Sequence, residues 1–302
     1  MALDKLKEIA LLFFVLIAFY SSLYVSEGET IRKSFWMAIL IFAVLFGFLA
    51  VQSADDSQRM SSLGGGENVF GRNMGFFLLA CLYFMEAGFM KLPLMGLMFF
   101  AVMLNVASGS RGAMISLIFA VIAYLWLKRK GIKPFLKLFS ILIFSGILFY
   151  FFVGKTDIGQ KTMSIIETRI IKLTIEEQYT SNRPFLYERA LNLGYQAPWF
   201  GKGLNAFSNE GLGRYPHNIF LEVFDEGGLV GLILIFLVMY SFTSHVMRYQ
   251  ASLDGPTAAA LVLSIVAAQF SGDLYDSRAI FIFMILCTVP SLVSRQTNEM
   301  VV

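Results

Sequence analysis

The sequence predicts an all-α membrane protein, a polytopic bundle of transmembrane helices with one long polar segment. Hydrophobic residues make up 57% of the 302 residues and charged residues only 15%, against roughly a quarter charged in a soluble domain. Mean hydropathy is +0.68. The apolar residues come in blocks of about twenty, the length that crosses ~30 Å of hydrocarbon as a helix. Backbone groups in lipid must be bonded within their own segment, so helices are the expected form.

These blocks predict about nine spans in a single membrane domain that covers residues 1–302. The segment 155–226 is predicted to be an elaboration of that domain outside the membrane. No internal repeat is evident. The spans are predicted at approximately 9–25, 35–52, 73–90, 92–108, 112–127, 135–153, 227–246, 257–271 and 279–294.

The distribution of lysine and arginine predicts the orientation of the spans. The densest basic cluster beside a span is Lys128–Lys133, which should therefore be cytoplasmic. With an odd number of spans, the N-terminus lies outside and the C-terminus inside, although Lys5 and Lys7 argue mildly against this. The segments that then face outward are the 53–72 loop, the Ser108–Arg111 turn, the 155–226 segment and the Ser271–Arg278 turn.

Charge and cysteine content exclude several classes of protein. The formal net charge of +3 is too small to indicate nucleic acid as a partner. Cys81 and Cys287 lie inside apolar runs, so packing or lipid-facing thiols are expected rather than a disulfide framework. The sequence shows no metal-ligand spacing and predicts no cofactor. The first apolar run continues past Tyr20 without a cleavage pattern, which argues against a cleavable signal peptide.

The 155–226 segment carries side chains suited to an anionic substrate attached to lipid. A helix is predicted to start at Asn182-Arg183-Pro184, since proline favours the first helical position. Arg183 then projects from an edge where free amides and the helix dipole favour anions. Arg189 lies six residues further on and points to a different face, so one of the two arginines is structural. Upstream, Ile165–Ile175 has the spacing of an amphipathic interfacial helix that carries Arg169.

His217 is the candidate proton acceptor, because imidazole transfers protons near neutral pH. It follows Pro216 at the mouth of a span and stands beside Asn218. Glu222 lies about one helical turn beyond Asn218. We predict that Arg189, Asn218, Glu222 and Arg214 help to bind the substrate. A lone histidine more often has a structural role, and that alternative stays open.

Two shorter outward segments add two further arginines. The Gly64–Gly66 run permits an anion-binding nest of amides or simply a flexible loop, and the glycines alone favour the flexible loop. Arg72, which follows, is either a headgroup anchor or a substrate-binding residue. Arg111 lies at the membrane surface within Ser108–Ala113, where a charge is costly unless it snorkels, pairs or binds a ligand. Its small neighbours leave room for a ligand.

Three carboxylates, Asp273, Asp276 and Glu86, are further candidates. Asp273 and Asp276 form an acid/base or cation-binding pair, or a solvated turn in which Asp276 pairs with Arg278. Glu86 is an ionisable residue within the third predicted span and so a functional candidate by default. It falls near the cytoplasmic end, away from the other candidates.

Several of these blocks, taken together, resemble the bacterial O-antigen polymerase and O-antigen ligase superfamily. Their order and their shared outward side carry the resemblance, which covers roughly residues 35–295. A further loop, Gly65–Arg72, is similar to one found in the polysaccharide polymerases of this group. The principal blocks are Ser108–Ala113, Asn182–Leu191 followed by Pro198–Gly203, and His217–Glu222 leading into Gly227–Gly231.

The resemblance implies a multi-pass glycosyltransferase of the bacterial inner membrane, with a GT-C-like helical fold and a site facing the periplasm. By position, Arg111, Arg183 and His217 match the family's important basic residues, although the context of Arg189 also fits the arginine pattern. The implied partners are undecaprenyl-diphosphate-linked oligosaccharide, membrane lipid, a chain-length regulator and a flippase, and metal independence is the default. The chain is shorter than the usual members, and N-terminal helices are expected to be missing.

In the implied mechanism, Arg111 and Arg183 stabilise the diphosphate leaving group and His217 removes the proton of the acceptor hydroxyl, with inversion. We expect the three side chains to converge above the outer leaflet. The glycine-rich loop favours a polymerase that extends a lipid-linked repeat unit. The first alternative is an O-antigen ligase, which transfers the glycan to lipid A-core. The second is a transporter of lipid-linked glycan or a small anion, although no symmetry of broken spans is evident.

Overall fold

The computed structural model describes residues 2–25, 28–52, 66–128, 182–211, 215–248 and 253–289, with isolated positions at 160, 164, 167 and 213. Over these residues the chain forms helices and no β-strand, which confirms the predicted all-α class. The helices are α1 (Ala2–Val25), α2 (Gly28–Gln52), α3 (Gly66–Glu86), α4 (Lys91–Ala107), α5 (Arg111–Leu127), α6 (Arg183–Gln196), α7 (Ala206–Asn209), α8 (Ile219–Arg248), α9 (Gly255–Ala267) and α10 (Ala279–Cys287).

Among the described residues, three helices are long and apolar enough to cross a membrane, namely Ala2–Leu23, Gly28–Gln52 and Ile219–Ser244. The shorter apolar helices are α4, α5 and α9. The 17 residues of α5 give a length of about 25 Å, near the lower limit for a span. The predicted span at 135–153 and the predicted interfacial helix Ile165–Ile175 lie outside the described residues.

Several predicted span boundaries were wrong, because helices continue beyond their apolar blocks. The helices α1, α2 and α3 begin at residues 2, 28 and 66 rather than at 9, 35 and 73. Each has an acidic residue in its first turn, where the helix dipole favours negative charge. The helix α3 also ends at Glu86 rather than at residue 90. The helix α8 begins at Ile219, and its backbone is non-helical at Gly228, next to the predicted span start at residue 227.

Packing divides the chain into two compact units. Unit 1 combines 1–33, 180–254 and 268–302, whereas unit 2 combines 34–179 and 255–267. Within unit 2, α3 packs against α4, α5 and α9, and its residues from Met74 to Phe84 are buried on every side, as expected for a helix apolar all round. Trp36 is fully buried in this unit, where its indole N–H donates to the Thr257 hydroxyl at 3.1 Å and its ring stacks on Tyr83.

Within unit 1, α6 packs closely against α8. A Cβ atom on Gly194 would lie 2.3 Å from the Phe224 ring, so only glycine fits at this crossing. Two polar contacts fix which helix ends lie together. Lys5 near the start of α1 pairs with Glu222 near the start of α8, and Arg32 donates to the Val289 carbonyl oxygen just after α10, at 2.6 Å.

Candidate functional site

Unit 1 contains an interrupted helix with a turn docked into the interruption. Gly228 has φ 61° and ψ −156°, so α8 consists of two helical halves. The turn after α6 bonds to both halves through four backbone hydrogen bonds. The amide N–H groups of Lys202 and Gly203 donate to the carbonyl oxygens of Asp225 and Glu226 at 2.8 and 3.0 Å, and those of Leu229 and Val230 donate to the carbonyl oxygens of Pro198 and Trp199 at 2.8 and 3.1 Å.

This docking explains two of the glycine motifs in the sequence. A Cβ atom on Gly201 would lie 2.3 Å from the carbonyl carbon of Glu226, and one on Gly228 would lie 2.5 Å from that of Trp199. Both glycines have positive φ, at 65° and 61°. A break in a helix normally leaves orphan amide and carbonyl groups, which are costly in a membrane. The turn supplies their partners, so the break is part of the fold.

His217 lies two residues before the first half of α8, at the end of the segment that leads into it. Its backbone has φ 63°, in the left-handed region, and its ring meets the Tyr215 ring edge-on at 4.7 Å between centroids. The side chain is half-buried, and Nδ1 is buried without a hydrogen-bond partner among the described residues. Burial and the positive charge of Arg183 lower the pKa of His217 below 6.5. The imidazole is therefore neutral near pH 7 and can accept a proton.

Arg183 begins α6 and is half-buried. The prediction that a helix starts at Asn182-Arg183-Pro184 is confirmed. The guanidinium carbon lies 5.5 Å from the centroid of the Phe270 ring, a cation–π geometry. The positive charge of Arg183 adds to burial in lowering the pKa of His217. These two predicted catalytic side chains therefore interact electrostatically within unit 1.

Arg189 lies on another face of α6, as predicted. It is exposed, and its guanidinium carbon is 5.5 Å from the ring centroid of Phe185 on the same helix. Six residues along a helix correspond to about 600°, which places Arg189 roughly 120° away from Arg183. Of the two arginines, it is Arg183 whose charge contributes to lowering the pKa of His217.

The residue after His217 has a clear structural role. The side-chain oxygen of Asn218 accepts hydrogen bonds from the amides of Phe220 and Leu221 at 3.0 and 3.2 Å, and so caps α8. The next amide, that of Ile219, donates to the Ala268 carbonyl oxygen at 3.1 Å. These contacts fix the backbone that joins His217 to the start of α8. A role for Asn218 in binding substrate stays a prediction.

The first half of α8 carries three carboxylates in two turns, of which the sequence analysis identified only Glu222. Glu222 and Asp225 are buried, with exposed fractions of 2% and 0%. The charge of Glu226, on the same helix, acts on both carboxyl groups. Lys5 pairs with Glu222 and Glu226. Both carboxylate oxygens of Asp225 lack a hydrogen-bond partner among the described residues. Ionisable residues inside a span are functional candidates by default. Asp225 and Glu226 were missed because the span was predicted to begin only at residue 227.

In unit 2, the structure places Arg111 at the first position of α5 and leaves it half-buried. Ser110 caps this helix, accepting from the amide of Ala113 at 3.2 Å and donating to the side-chain oxygen of Asn68 at 2.7 Å. Arg72 is half-buried one turn after Asn68 on α3. Both arginines therefore lie at the same end of unit 2. The convergence of Arg111 with Arg183 and His217 stays a prediction.

The remaining candidates have local roles or lie outside the described part of the chain. Glu86 is exposed at the end of α3. It accepts a hydrogen bond from the Tyr124 hydroxyl at 2.6 Å and pairs with Lys128 at 2.7 Å. In the Ser271–Arg278 turn, Asp273 accepts from the amide of Asp276 at 2.8 Å, and Arg278 lies over the Tyr275 ring. Arg214 lies outside the described residues, and so do Gly64 and Gly65.

Within the described ranges, no three histidine, cysteine, aspartate or glutamate side chains come together in a way that would hold a metal ion. The carboxylates of α8 have a lysine among them instead. The described side chains of this site include an imidazole, a guanidinium group and buried carboxylates.

Comparison with known proteins identifies the region that carries this site. The model of a family described as O-antigen ligase matches residues 95–236. This stretch includes α5 with Arg111, α6 with Arg183, the docked turn, His217 and the break in α8. No curated protein matches the chain. Residues 95–236 thus match the O-antigen ligase family, and the predicted resemblance to the O-antigen polymerase and ligase superfamily is confirmed over this region.

Proposed function

We propose that this protein is a glycosyltransferase that takes its glycan from undecaprenyl diphosphate and joins it to a growing lipid-linked repeat unit. It would act as an O-antigen or exopolysaccharide polymerase at the periplasmic face of the inner membrane. The observation that supports the proposal is that both basic side chains lie in the matched region, where burial and the charge of Arg183 lower the pKa of the His217 imidazole. A cation for the diphosphate and a neutral base for the acceptor are what this transfer needs.

The proposed reaction is a direct displacement. The neutral His217 imidazole takes the proton of the acceptor hydroxyl as its oxygen attacks the anomeric carbon. The bond between that carbon and the diphosphate oxygen breaks, the configuration inverts, and undecaprenyl diphosphate leaves with the electron pair. Arg183 stabilises the negative charge that develops on the diphosphate, because a guanidinium group binds phosphate oxygens through a fork of donors. Arg111 would supply a second cation, and no metal ion takes part in the proposed step.

The substrate-binding roles of the other predicted residues belong to the same proposal. Arg72 and Arg214 would contact the diphosphate or the glycan, and Asn218 would do so with its amide nitrogen, since its oxygen caps α8. Glu222 is buried and paired with Lys5, so it would act through the backbone that carries His217. A chain-length regulator and a flippase would work with the enzyme in the membrane.

A ligase is the second candidate, because the matched family is described as O-antigen ligase. Polymerase and ligase share the donor and differ in the acceptor. Deletion of the gene separates them, since loss of a polymerase leaves single repeat units on the lipid A-core, whereas loss of a ligase leaves bare core. In detergent, the purified protein should lengthen lipid-diphosphate glycan without added lipid A-core. A requirement for lipid A-core would establish the ligase. Absence of transfer with either acceptor would contradict both the polymerase and the ligase, and the transporter would be the remaining alternative.

The two arginines of α6 should respond differently to substitution. We expect Arg183→Gln to lower the rate of transfer by about 10²-fold, the cost of removing a donor to a developing oxyanion. Arg189→Gln should change the rate by no more than about twofold, as for an exposed residue away from the site. The measurement is the rate of glycan extension at equal amounts of folded protein. Equal losses in both variants would show that Arg183 has no special place in the reaction.

A further inference from the structure

Lys5 is a lysine from α1 with its ammonium group buried inside unit 1. Its side chain is 4% exposed, and it bonds to Oε1 of Glu222 and Oε1 of Glu226, whose side chains are 2% and 10% exposed. Neighbouring Lys7 makes a useful contrast, because it is 69% exposed and pairs only with Asp4 on the same helix. Lys5 thus belongs to the interior of the protein, although a lysine near the start of a chain is normally solvated.

Lys5 neutralises charges that would otherwise repel each other. Glu222 and Glu226 are four residues apart on α8, so their side chains share one face of the helix, and like charges at this spacing destabilise a helix. Asp273 adds further negative charge nearby. Removing one partner of a buried ion pair leaves an uncompensated charge that the interior cannot solvate. The lysine is therefore needed to keep two adjacent turns of α8 in place.

These turns of α8 connect directly to His217. The amide of Glu222 donates to the carbonyl oxygen of Asn218 at 3.1 Å, and Asn218 is the cap that follows His217 in the chain. At the other end, Oε1 of Glu226 also accepts from the amide of Asn205 at 2.8 Å. The carbonyl oxygen of Glu226 accepts from Gly203 in the docked turn. One ammonium group therefore lies at the junction of α1, the first half of α8 and the loop that precedes α7.

We propose that Lys5 is a positioning residue for glycan transfer, which holds the first half of α8, and through it His217, in the orientation that the reaction requires. This inference rests on the proposed function for its catalytic meaning. The residue lies outside the region 95–236 that matches the family. The helix α1 therefore does more than anchor the chain in lipid, since it supplies the counter-charge for carboxylates that belong to the matched region.

Five variants test the role of the charge, including Lys5→Glu alone as the reference for the charge exchange. Lys5→Met keeps an unbranched side chain and removes the ammonium group, Lys5→Arg keeps the charge, and Lys7→Met is the matched control on the same helix. The double variant Lys5→Glu with Glu226→Lys exchanges the two charges. We expect Lys5→Met to lower the rate of transfer by about 10- to 100-fold, in line with a small misplacement of a catalytic group. Lys5→Arg and Lys7→Met should stay near the wild-type rate, and the charge exchange should recover most of the loss caused by Lys5→Glu alone.

A second readout does not depend on glycan transfer. The chain has 2 histidines, so diethyl pyrocarbonate modification of His217, measured by mass spectrometry against His245, reports on its surroundings. His217 should react several times faster in Lys5→Met than in the wild type, and at the wild-type rate in Lys5→Arg and Lys7→Met. If no variant and no wild-type protein transfers glycan, the proposed function fails, whereas this measurement still decides the role of Lys5.

Two results would overturn the proposed role of Lys5. An unchanged His217 reactivity in Lys5→Met, with the protein folded, overturns the proposal. So does an equal change in Lys7→Met, which would point to α1 in general. If Lys5→Met does not accumulate in the membrane, the charge-exchanged double variant decides. Its accumulation with wild-type His217 reactivity supports the pairing, and its failure to recover either property refutes it.

Discussion

Replacing His217 by asparagine is expected to lower the rate of glycan transfer by about 10²- to 10⁴-fold, the usual contribution of a general base. The reason is that an amide cannot accept the proton of the acceptor hydroxyl at neutral pH. The measurement is the rate of glycan extension by purified protein, or the length of the glycan ladder in cells that carry only the variant. Normal ladders from His217→Asn would exclude His217 as the base.

Asparagine is a better replacement here than alanine, because His217 has φ 63°. Among residues other than glycine, asparagine, aspartate and histidine adopt this left-handed region most readily. His217→Asn therefore keeps the backbone that leads into the cap at Asn218, whereas His217→Ala would combine loss of the imidazole with backbone strain. His245→Asn is the control for loss of a histidine, and it should leave the rate unchanged.

The rate should also depend on pH in a direction set by the surroundings of His217. Burial and the charge of Arg183 lower the pKa of His217 below its ordinary value of 6.5. A base is active when it is neutral, so kcat/KM should fall only as the pH drops through this lowered pKa and should be level above it. Removing a positive charge raises the pKa of a nearby imidazole. The residual activity of Arg183→Gln should therefore begin to fall at a higher pH than that of the wild type. A fall at the same or a lower pH would contradict the pairing.

Much of the fold and part of the site could be predicted because they depend on local sequence. Apolar blocks identified the helical class, and proline after Arg183 identified the start of α6 correctly. The placement of Arg183 and Arg189 on different faces of α6 followed from helical geometry alone. The candidate base was found because histidine is rare in this chain and stands beside a span, which is a local signal as well.

The parts that were missed depend on contacts between distant residues. Hydropathy placed the start of a span after Glu226, because Glu222, Asp225 and Glu226 interrupt the apolar pattern, so the first half of α8 was taken for a loop. Only the fold shows that Lys5 neutralises two of these carboxylates across 217 and 221 residues of chain. Lys5 was read as a weak sign of a cytoplasmic N-terminus, and the structure gives it buried partners instead.

The break in α8 leads to the prediction with the largest expected effect on stability. Gly228→Ala should destabilise the folded protein by about 2 to 6 kcal/mol, the sum of a left-handed backbone for alanine and a forced overlap. The overlap is with backbone, since the new Cβ atom would lie 2.5 Å from the carbonyl carbon of Trp199 and 2.6 Å from the amide nitrogen of Gly201. Backbone held by hydrogen bonds on both sides of the break cannot move aside as a flexible side chain would. This is a large share of the 5 to 15 kcal/mol that typically separates folded from unfolded states.

Two neighbouring glycines make graded controls for this prediction. Gly227 has an ordinary backbone and open space around the position of a Cβ atom, so Gly227→Ala should leave the melting temperature in detergent unchanged or slightly higher. Gly203 has φ 88° and open space, so Gly203→Ala should incur only the backbone cost of about 1 to 3 kcal/mol. The expected order of thermal stability is therefore Gly227→Ala, then Gly203→Ala, then Gly228→Ala. If Gly228→Ala and Gly227→Ala were equally stable, the turn could not be docked into the helix as described, and the frame that carries His217 would have to differ.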